Sequence, residues 1–306
     1  MALKIIFMGT PNFCLPILKS IKDSKHNLLA IYTQTPKKKN RGQKITFSPV
    51  HNFANKSKID VRHPEEINTD IEIKKILDLK PDVVVVVAYG KILPQKLLNT
   101  KKVKFINVHA SLLPKWRGAA PIHRSIMSLD KETGISIMKI EPKLDSGPVM
   151  MSDKVKISKD TNYNDLSERL SNLGAKLIIE SLNLIEKGKE IFIQQNHKKA
   201  TYAKKITKLE SKIDWNYEAS KIIGKINALN PNPGSWFKLR GQRIKITKAI
   251  EIVATGKPGE IIKENFTIAC SKNAVQILEL IKEGKSKVKV DEFLKGNKIS
   301  IGENIN

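Results

Sequence analysis

Cysteine is almost missing from this sequence: Cys14 and Cys270 are the only two in 306 residues. One pair cannot build a disulfide framework or a cysteine-based metal cluster, and a cytosolic location is the default. Long apolar runs are missing as well. The longest stretch, Val83 to Ala88, is far short of the roughly 20 residues a membrane-spanning helix needs, so a soluble chain with no membrane partner is expected. The opening Met-Ala-Leu-Lys-Ile-Ile-Phe-Met-Gly holds an apolar run too short for a signal peptide, and Gly9-Thr10-Pro11 marks the end of a first strand instead. No Gly-x-Gly-x-x-Gly follows that strand, which argues against NAD and FAD. His51, His63, His109 and His123 lack close-spaced partners, so no metal is expected. Neither Ser111 nor Ser146 sits in a Gly-x-Ser-x-Gly elbow, and serine-hydrolase chemistry is equally unsupported.

Acids are scarce relative to bases. Against 30 Asp+Glu stand 55 Lys+Arg, for a formal net charge of +25 and a sequence pI of about 9.9. Most of the bases are Lys, and Ile and Asn are abundant, the usage of an A/T-rich genome, so part of the excess is expected from codon bias. Distribution says more than the total, because a footprint for nucleic acid should be locally free of acids. Between Asp23 and Asp60 there are eight basic residues and no acid, and the interval from Asp82 to Asp130 is likewise acid-free. Residues 201–306 carry a milder excess, 20 basic against 11 acidic.

The first two thirds alternate between strands and helices. Lys4 to Met8, Leu28 to Thr33, Val83 to Ala88 and Phe105 to Val108 are short, apolar and largely β-branched. A run such as Val83-Val84-Val85-Val86-Val87 suits a sheet covered on both faces. These features predict a doubly wound, Rossmann-like α/β domain with ligands at the carboxyl ends of its strands. Leu166, Leu170, Leu173, Leu177, Ile178, Leu182 and Ile185 trace a long amphipathic helix from Asp160 to Lys187, with Gly188 at its end. A helix over Tyr217 to Leu229 is broken by Pro231-Asn232-Pro233-Gly234. Five strand-like pieces follow, at Trp236 to Leu239, Arg243 to Ala249, Glu260 to Ile262, Phe266 to Ala269 and Val275 to Leu280. They predict a small antiparallel β-barrel of the OB-like type. The expected division is a first domain over 1–190, a linker over 191–204 and a second domain over 205–306.

The densest polar signal is Asn107-Val108-His109-Ala110-Ser111-Leu112-Leu113-Pro114, followed by Trp116-Arg117-Gly118-Ala119-Ala120-Pro121. Phe105, Asn107 and His109 alternate at the end of an expected strand, which points Asn107 and His109 to one side. An amide can hydrogen-bond a carbonyl oxygen as it becomes negative, and an imidazole can relay a proton near neutral pH. An isolated histidine is more often structural; membership of this cluster favours chemistry. Leu144-Asp145-Ser146-Gly147-Pro148 follows a strand over Ile135 to Ile140, with Gly147 permitting the turn. Most such tripeptides are surface turns, but an Asp145 facing His109 would orient the ring and accept protons. Thr35 to Lys44 holds five positive charges, with Pro and Gly and no helical period. That describes a mobile basic loop, either merely solvated or in contact with phosphate.

Taken together, these motifs resemble the 10-formyltetrahydrofolate-dependent formyltransferases, most nearly the branch that acts on methionyl-tRNA. The resemblance spans nearly the whole chain. It rests on Gly9-Thr10-Pro11-x-Phe13, Ala88-Tyr89-Gly90-x-Ile92-Leu93-Pro94, the Asn-x-His-x-Ser-Leu-Leu-Pro block, Trp116 to Ile122 and Leu144 to Pro148. Thr201-Tyr202-Ala203, Ile213-Asp214-Trp215 and Asn230-Pro231-x-Pro233-Gly234-x-Trp236 extend it into the last third. The resemblance implies a catalytic trio of Asn107, His109 and Asp145. It implies a folate site lined by Ser111, Leu112, Leu113 and Pro114, adjoined by Tyr89, Gly90 and Ile92. It further implies that Phe13 lies near the methionyl side chain and that Lys37, Lys38, Lys39, Arg41 and Lys44 engage the tRNA acceptor end. In that loop Asn40 and Gln43 depart from the small or basic residues more usual there.

The implied reaction is formyl transfer from 10-formyltetrahydrofolate, as co-substrate, to the α-amine of initiator methionyl-tRNA by a monomer, with the second domain holding tRNA backbone. A nucleotide-linked amino sugar is the alternative acceptor; it would keep the trio but need the basic segments less. A non-catalytic nucleic-acid-binding protein would account for the charge and leave the Asn, His and Asp arrangement without a purpose.

Overall fold

Alternating apolar segments become strands and helices in the computed structural model, which describes residues 1–39 and 44–305. In chain order come β1 (Lys4–Gly9), α1 (Cys14–Lys22), β2 (Asn27–Tyr32), β3 (Lys37–Lys39), β4 (Lys44–Thr46) and α2 (Pro49–Lys56). Next are β5 (Val61–Arg62), α3 (Asp70–Asp78), β6 (Val83–Val87), α4 (Gln95–Leu98), β7 (Lys104–His109) and β8 (Arg117–Gly118). They lead to α5 (Pro121–Met127), β9 (Glu132–Lys139), β10 (Val149–Lys156), α6 (Tyr163–Glu186) and β11 (Tyr202–Ala203). The last third holds α7 (Ala219–Leu229), β12 (Ser235–Leu239), β13 (Gln242–Ile252), β14 (Ile261–Lys263) and β15 (Thr267–Ala269). It ends with β16 (Ala274–Lys282), β17 (Lys287–Lys289) and α8 (Val290–Gly296).

Two compact units divide the chain. The first gathers Met1–Gly118, Thr133–Val155 and Ser167–Tyr202 around a seven-stranded sheet of order β10-β9-β7-β6-β1-β2-β5. From β5 to β7 neighbouring strands are parallel, and β9 runs antiparallel to β7. The five consecutive valines of β6 are all buried, which requires cover on both faces. On one face Val84 and Val86 join Ile6, Met8, Ile73 and Phe105 in a core. On the other, a Cβ at Gly174 of α6 would lie 3.0 Å from Ile17 of α1 and 3.2 Å from Val108 of β7, so the missing side chain permits the close helix approach. Local signals start the helices. Ser48 accepts from the His51 N–H ahead of α2, Pro49 opens that helix, and Thr69 accepts from the Glu72 N–H ahead of α3. The chain moves from β1 to β2 on one side and later returns to β6 on the other. The carboxyl ends of β1 and β6 therefore flank a topological switch point, with that of β7 next to it.

The second unit takes in Ala119–Glu132, Lys156–Leu166 and the chain from Ala203 onward. Its antiparallel sheet has the order β12-β13-β16-β15-β14, with β17 paired to β16. Ile222 and Ile226 of α7 share a core with Phe237, Ile244, Ile277 and Leu280. Trp215, Phe237, Phe266 and Phe293 follow one another at ring-centroid distances of 5.6, 6.0 and 5.9 Å. Helix α5 lies against α7 where Gly224 leaves room; a Cβ there would come within 2.7 Å of Leu129. All five expected strands form, together with β17, whose Lys-Val-Lys is too short to show a period.

One expectation needs correction. The basic segment after β2 is not wholly irregular: Lys37–Lys39 pairs antiparallel with Lys44–Thr46, Lys37 opposite Thr46. Pairing uses backbone groups only, and three successive lysines offer no alternation to betray a strand. Residues 40–43, and with them the Arg41 contact expected above, lie outside the described residues.

Candidate active site

The strand end at His109 is where polar side chains first replace apolar ones in the row Phe105, Asn107, His109. Phe105 is buried in the core, Asn107 is half-buried, and among the described residues the Asn107 amide has no hydrogen-bond partner. His109 is only 6% exposed. Its ring is held from both ends. Nε2 lies 2.9 Å from the carbonyl of Trp116, and because a carbonyl only accepts, Nε2 carries the hydrogen. Nδ1 lies 3.7 Å from Oδ2 of Asp145. That is close, but longer than a direct hydrogen bond.

Asp145 reaches this position from a turn between β9 and β10. Its φ of 44° puts it in the left-handed region, a conformation Asp tolerates better than most residues. Its Oδ2 accepts from the Gly118 N–H at 2.8 Å, and the side chain is 15% exposed. Gly147 serves differently from expectation. Among the turn residues Asp145 takes the left-handed conformation, whereas Gly147 is required by crowding: a Cβ there would stand 2.0 Å from the carbonyl oxygen of Lys139 in β9. The carbonyls of Asp145 and Gly147 both accept from the amide of Gln195, at 3.0 and 2.7 Å. Oε1 of Gln195 in turn accepts from Arg117, at 3.1 Å from Nε and 2.6 Å from a terminal nitrogen. In the sequence Arg117 and Gln195 stand inside longer segments, with no local signal that gives either a task.

The Ser111–Pro114 segment is braced from β9. Ser136 donates to the Ser111 carbonyl at 2.7 Å and accepts from the Leu113 N–H at 3.1 Å. Ser111 itself is fully buried, its hydroxyl donating to the Lys115 carbonyl at 2.5 Å. Leu112, Leu113 and Pro114 are half-buried. After β6, Tyr89 turns into the core, 1% exposed, where burial pushes its phenol above the usual tyrosine range. Only its backbone is available: the Tyr89 carbonyl accepts from Thr10 at 2.9 Å and Gln34 at 3.2 Å. Gly90, at φ +81°, takes the left-handed conformation that side chains rarely adopt, with the amide end of Gln34 against it. Two residues on, Ile92 is 90% exposed.

Phe13, half-buried, precedes α1, and its carbonyl accepts from Ser171 at 2.7 Å. The neighbouring Cys14 donates to the Val87 carbonyl at 3.0 Å, and burial pushes its thiol up to about 12, so it is no nucleophile at neutral pH. Lys37 is exposed; Lys38, Lys39 and Lys44 are placed by their backbone in the hairpin. Among the described residues no group of three or more His, Cys, Asp or Glu could hold a metal ion, and no helix is long and apolar enough to cross a membrane.

Comparison with known proteins accounts for nearly the whole chain. Residues 3–182 match the family model "Formyl transferase", and residues 205–298 match "Formyl transferase, C-terminal domain". A methionyl-tRNA formyltransferase of Pelagibacter ubique (strain HTCC1062) is 47% identical, over 100% of this chain and 99% of its own. One from Paracoccus denitrificans (strain Pd 1222) is 42% identical over 96% of this chain and 97% of its own. Among solved structures, HypX from Aquifex aeolicus in complex with tetrahydrofolic acid superposes with a TM-score of 0.67 at 16% identity, covering 99% of this chain and 51% of that one. WlaRD, a sugar 3N-formyl transferase, gives 0.67 at 18% identity, covering 94% and 100%. At such identities these likenesses speak to the fold alone.

Proposed function

The chain belongs to the formyl transferase family, and from that membership we propose that it moves a formyl group from 10-formyltetrahydrofolate to the α-amino group of initiator methionyl-tRNA, for translation initiation. The observation that carries the choice of acceptor is identity continuous over essentially the full chain: relatives named methionyl-tRNA formyltransferase match at 37–47% across both family models. It acts as a cytoplasmic monomer. Following the two family models along the chain, residues 1–190 are assigned to catalysis, 191–204 to a linker and 205–306 to holding tRNA backbone, although residues 119–132 and 156–166 group with the second compact unit.

The nucleophile is the amine lone pair. A free α-amino group has a pKa near ~8, so losing its proton costs little at neutral pH and no strong base is needed. As the new C–N bond forms, the formyl oxygen becomes negative. The Asn107 amide, unspent on the protein, donates to that oxygen, and such a donor contributes on the order of 10²–10³ in rate. His109, held beside Trp116 and Asp145, joins Asn107 in stabilising that oxygen, while Asp145 positions the ring and helps carry the proton leaving the amine. When the C–N bond to the folate nitrogen breaks, the proton passes to that nitrogen and the charges balance. Holding both large substrates in register supplies much of the remaining acceleration.

The donor's fused ring would rest on the apolar side chains of Leu112, Leu113 and Pro114 after β7 and of Ile92 after β6, with Ser111 shaping the first segment and the backbone of Tyr89 and Gly90 the second. An isoleucine as exposed as Ile92 is suited to such contact. Phe13 would face the methionyl side chain, while Lys37, Lys38, Lys39, Arg41 and Lys44 would bind the acceptor end. The test offers labelled 10-formyltetrahydrofolate with methionyl-initiator-tRNA and, separately, with amino-sugar nucleotides. Label on the tRNA alone is expected; label on the sugar nucleotide alone would overturn the acceptor assignment.

A further inference from the structure

Asp145 has few means of its own to stay beside His109. It stands in the left-handed region at φ 44°, on a turn, and 3.7 Å from the imidazole it serves. Resting on the catalytic reading above, we propose that Arg117 and Gln195 form a clamp that positions the Asp145 carboxylate against His109, neither residue touching substrate. Hydrogen-bonding chemistry orients every member of the clamp. Carbonyls only accept, so the nitrogen of the Gln195 amide faces those of Asp145 and Gly147, at 3.0 and 2.7 Å. A guanidinium only donates, so Oε1 faces Arg117. One amide thereby grips the turn on both sides of Ser146.

Arg117 closes the arrangement. It is 1% exposed, yet among the described residues none of its hydrogen-bond partners is a carboxylate: they are Oε1 of Gln195 and, at 3.0 Å, Nδ1 of His197. A buried cation held by neutral groups is expensive unless its geometry serves something. Here the next residue, Gly118, donates its N–H to Oδ2 of Asp145. The same stretch of backbone thus meets the carboxylate directly and, through Arg117 and Gln195, the carbonyl of the same residue. Gln195 lies 50 residues from Asp145 in the chain and Arg117 lies 78 from Gln195, which is why no local motif revealed the link.

Gln195→Glu separates positioning from folding, because the carboxylate still accepts from Arg117 but cannot donate to the two carbonyls. Gln195→Met, of similar volume and with no donor, is read in the same way should the first variant fold poorly. In the full-length enzyme with initiator methionyl-tRNA and 10-formyltetrahydrofolate, kcat should fall between about 10- and 100-fold. KM for both substrates should stay within about threefold and the melting temperature close to that of the parent. The deciding measurement repeats Gln195→Glu on top of Asp145→Asn. If Gln195 acts through Asp145, the second substitution should change kcat by less than about twofold. Multiplicative losses, or a folded Gln195→Glu enzyme with parental kcat beside a crippled Asp145→Asn enzyme, would overturn the clamp alone. An Asp145→Asn enzyme with parental kcat would remove the catalytic reading and the clamp with it.

Discussion

Substituting Gly147 by alanine adds one methyl group where the structure has least room for it. The new Cβ would stand 2.0 Å from the Lys139 carbonyl oxygen, 3.0 Å from its carbon and 3.3 Å from Cγ of Glu141. The first of these is about 1.4 Å inside ordinary van der Waals separation, and the obstacle is strand backbone, so the turn has to move rather than a flexible side chain. Overpacking of this kind costs about 1–3 kcal/mol, which lowers the melting temperature by roughly 2–4 °C per kcal/mol in a domain of this size. The larger effect falls on the site. Moving Asp145 by the same amount stretches its 3.7 Å separation from His109 to about 5 Å, out of reach of any hydrogen bond. Adding the misplacement of a catalytic group, kcat should fall by about 10- to 100-fold. Gly296→Ala is the control, because nothing stands within 4 Å of a Cβ there. Steady-state formyl transfer beside thermal melts decides the matter. A Gly147→Ala enzyme that keeps both its kcat and its melting temperature would show that neither the crowding at the turn nor the placement of Asp145 matters as described.

Replacing Lys37, Lys38, Lys39, Arg41 and Lys44 by glutamine should weaken tRNA use and lower the salt slope of binding by roughly 0.7–0.9 for each phosphate no longer neutralised, leaving KM for the folate unchanged; an unchanged slope would exclude the hairpin from the tRNA interface. His123 stacks on Tyr163 with ring centroids 4.2 Å apart, and burial first, then the nearby Arg124, lowers its pKa to about 4. Because the folded value lies below the unfolded one, the protein gains stability above about pH 6.5 and loses it as the pH falls toward 4. Between pH 7 and pH 5 the loss should be about 1–2 kcal/mol after allowance for partial exposure. His123→Phe should abolish that part of the pH dependence in melting curves; an identical dependence in the variant would show that the loss comes from other groups.

Much of this architecture was legible because burial on two faces leaves a mark in composition. Val83–Val87 announced a central parallel strand, and the change from Phe105 to Asn107 and His109 announced where that layer of the sheet turns polar. Periodicity could not reveal partners chosen by tertiary contact. Gln195 looked like one residue in a polar stretch, and its task depends on two carbonyls that face it across the fold. Ser136 sat unnoticed inside a strand although it braces the Ser111–Pro114 segment. The Asp-Ser-Gly turn was recognisable, but the strain lies on Asp145 and the crowding on Gly147, a division only neighbouring backbone can determine. Tyr89 illustrates the reverse. Its place in a motif suggested a residue adjoining the folate site, whereas its ring is buried in the core.

Asn107, His109 and Asp145 should act on one formyl carbon while other parts of the chain hold the tRNA. These two tasks separate in a single variant, His109→Ala, followed by single-turnover formyl transfer and by its affinity for initiator methionyl-tRNA. Transfer should be nearly abolished, with tRNA affinity within about threefold of the parent. Transfer at the parental rate would contradict the assignment of His109 to the chemistry.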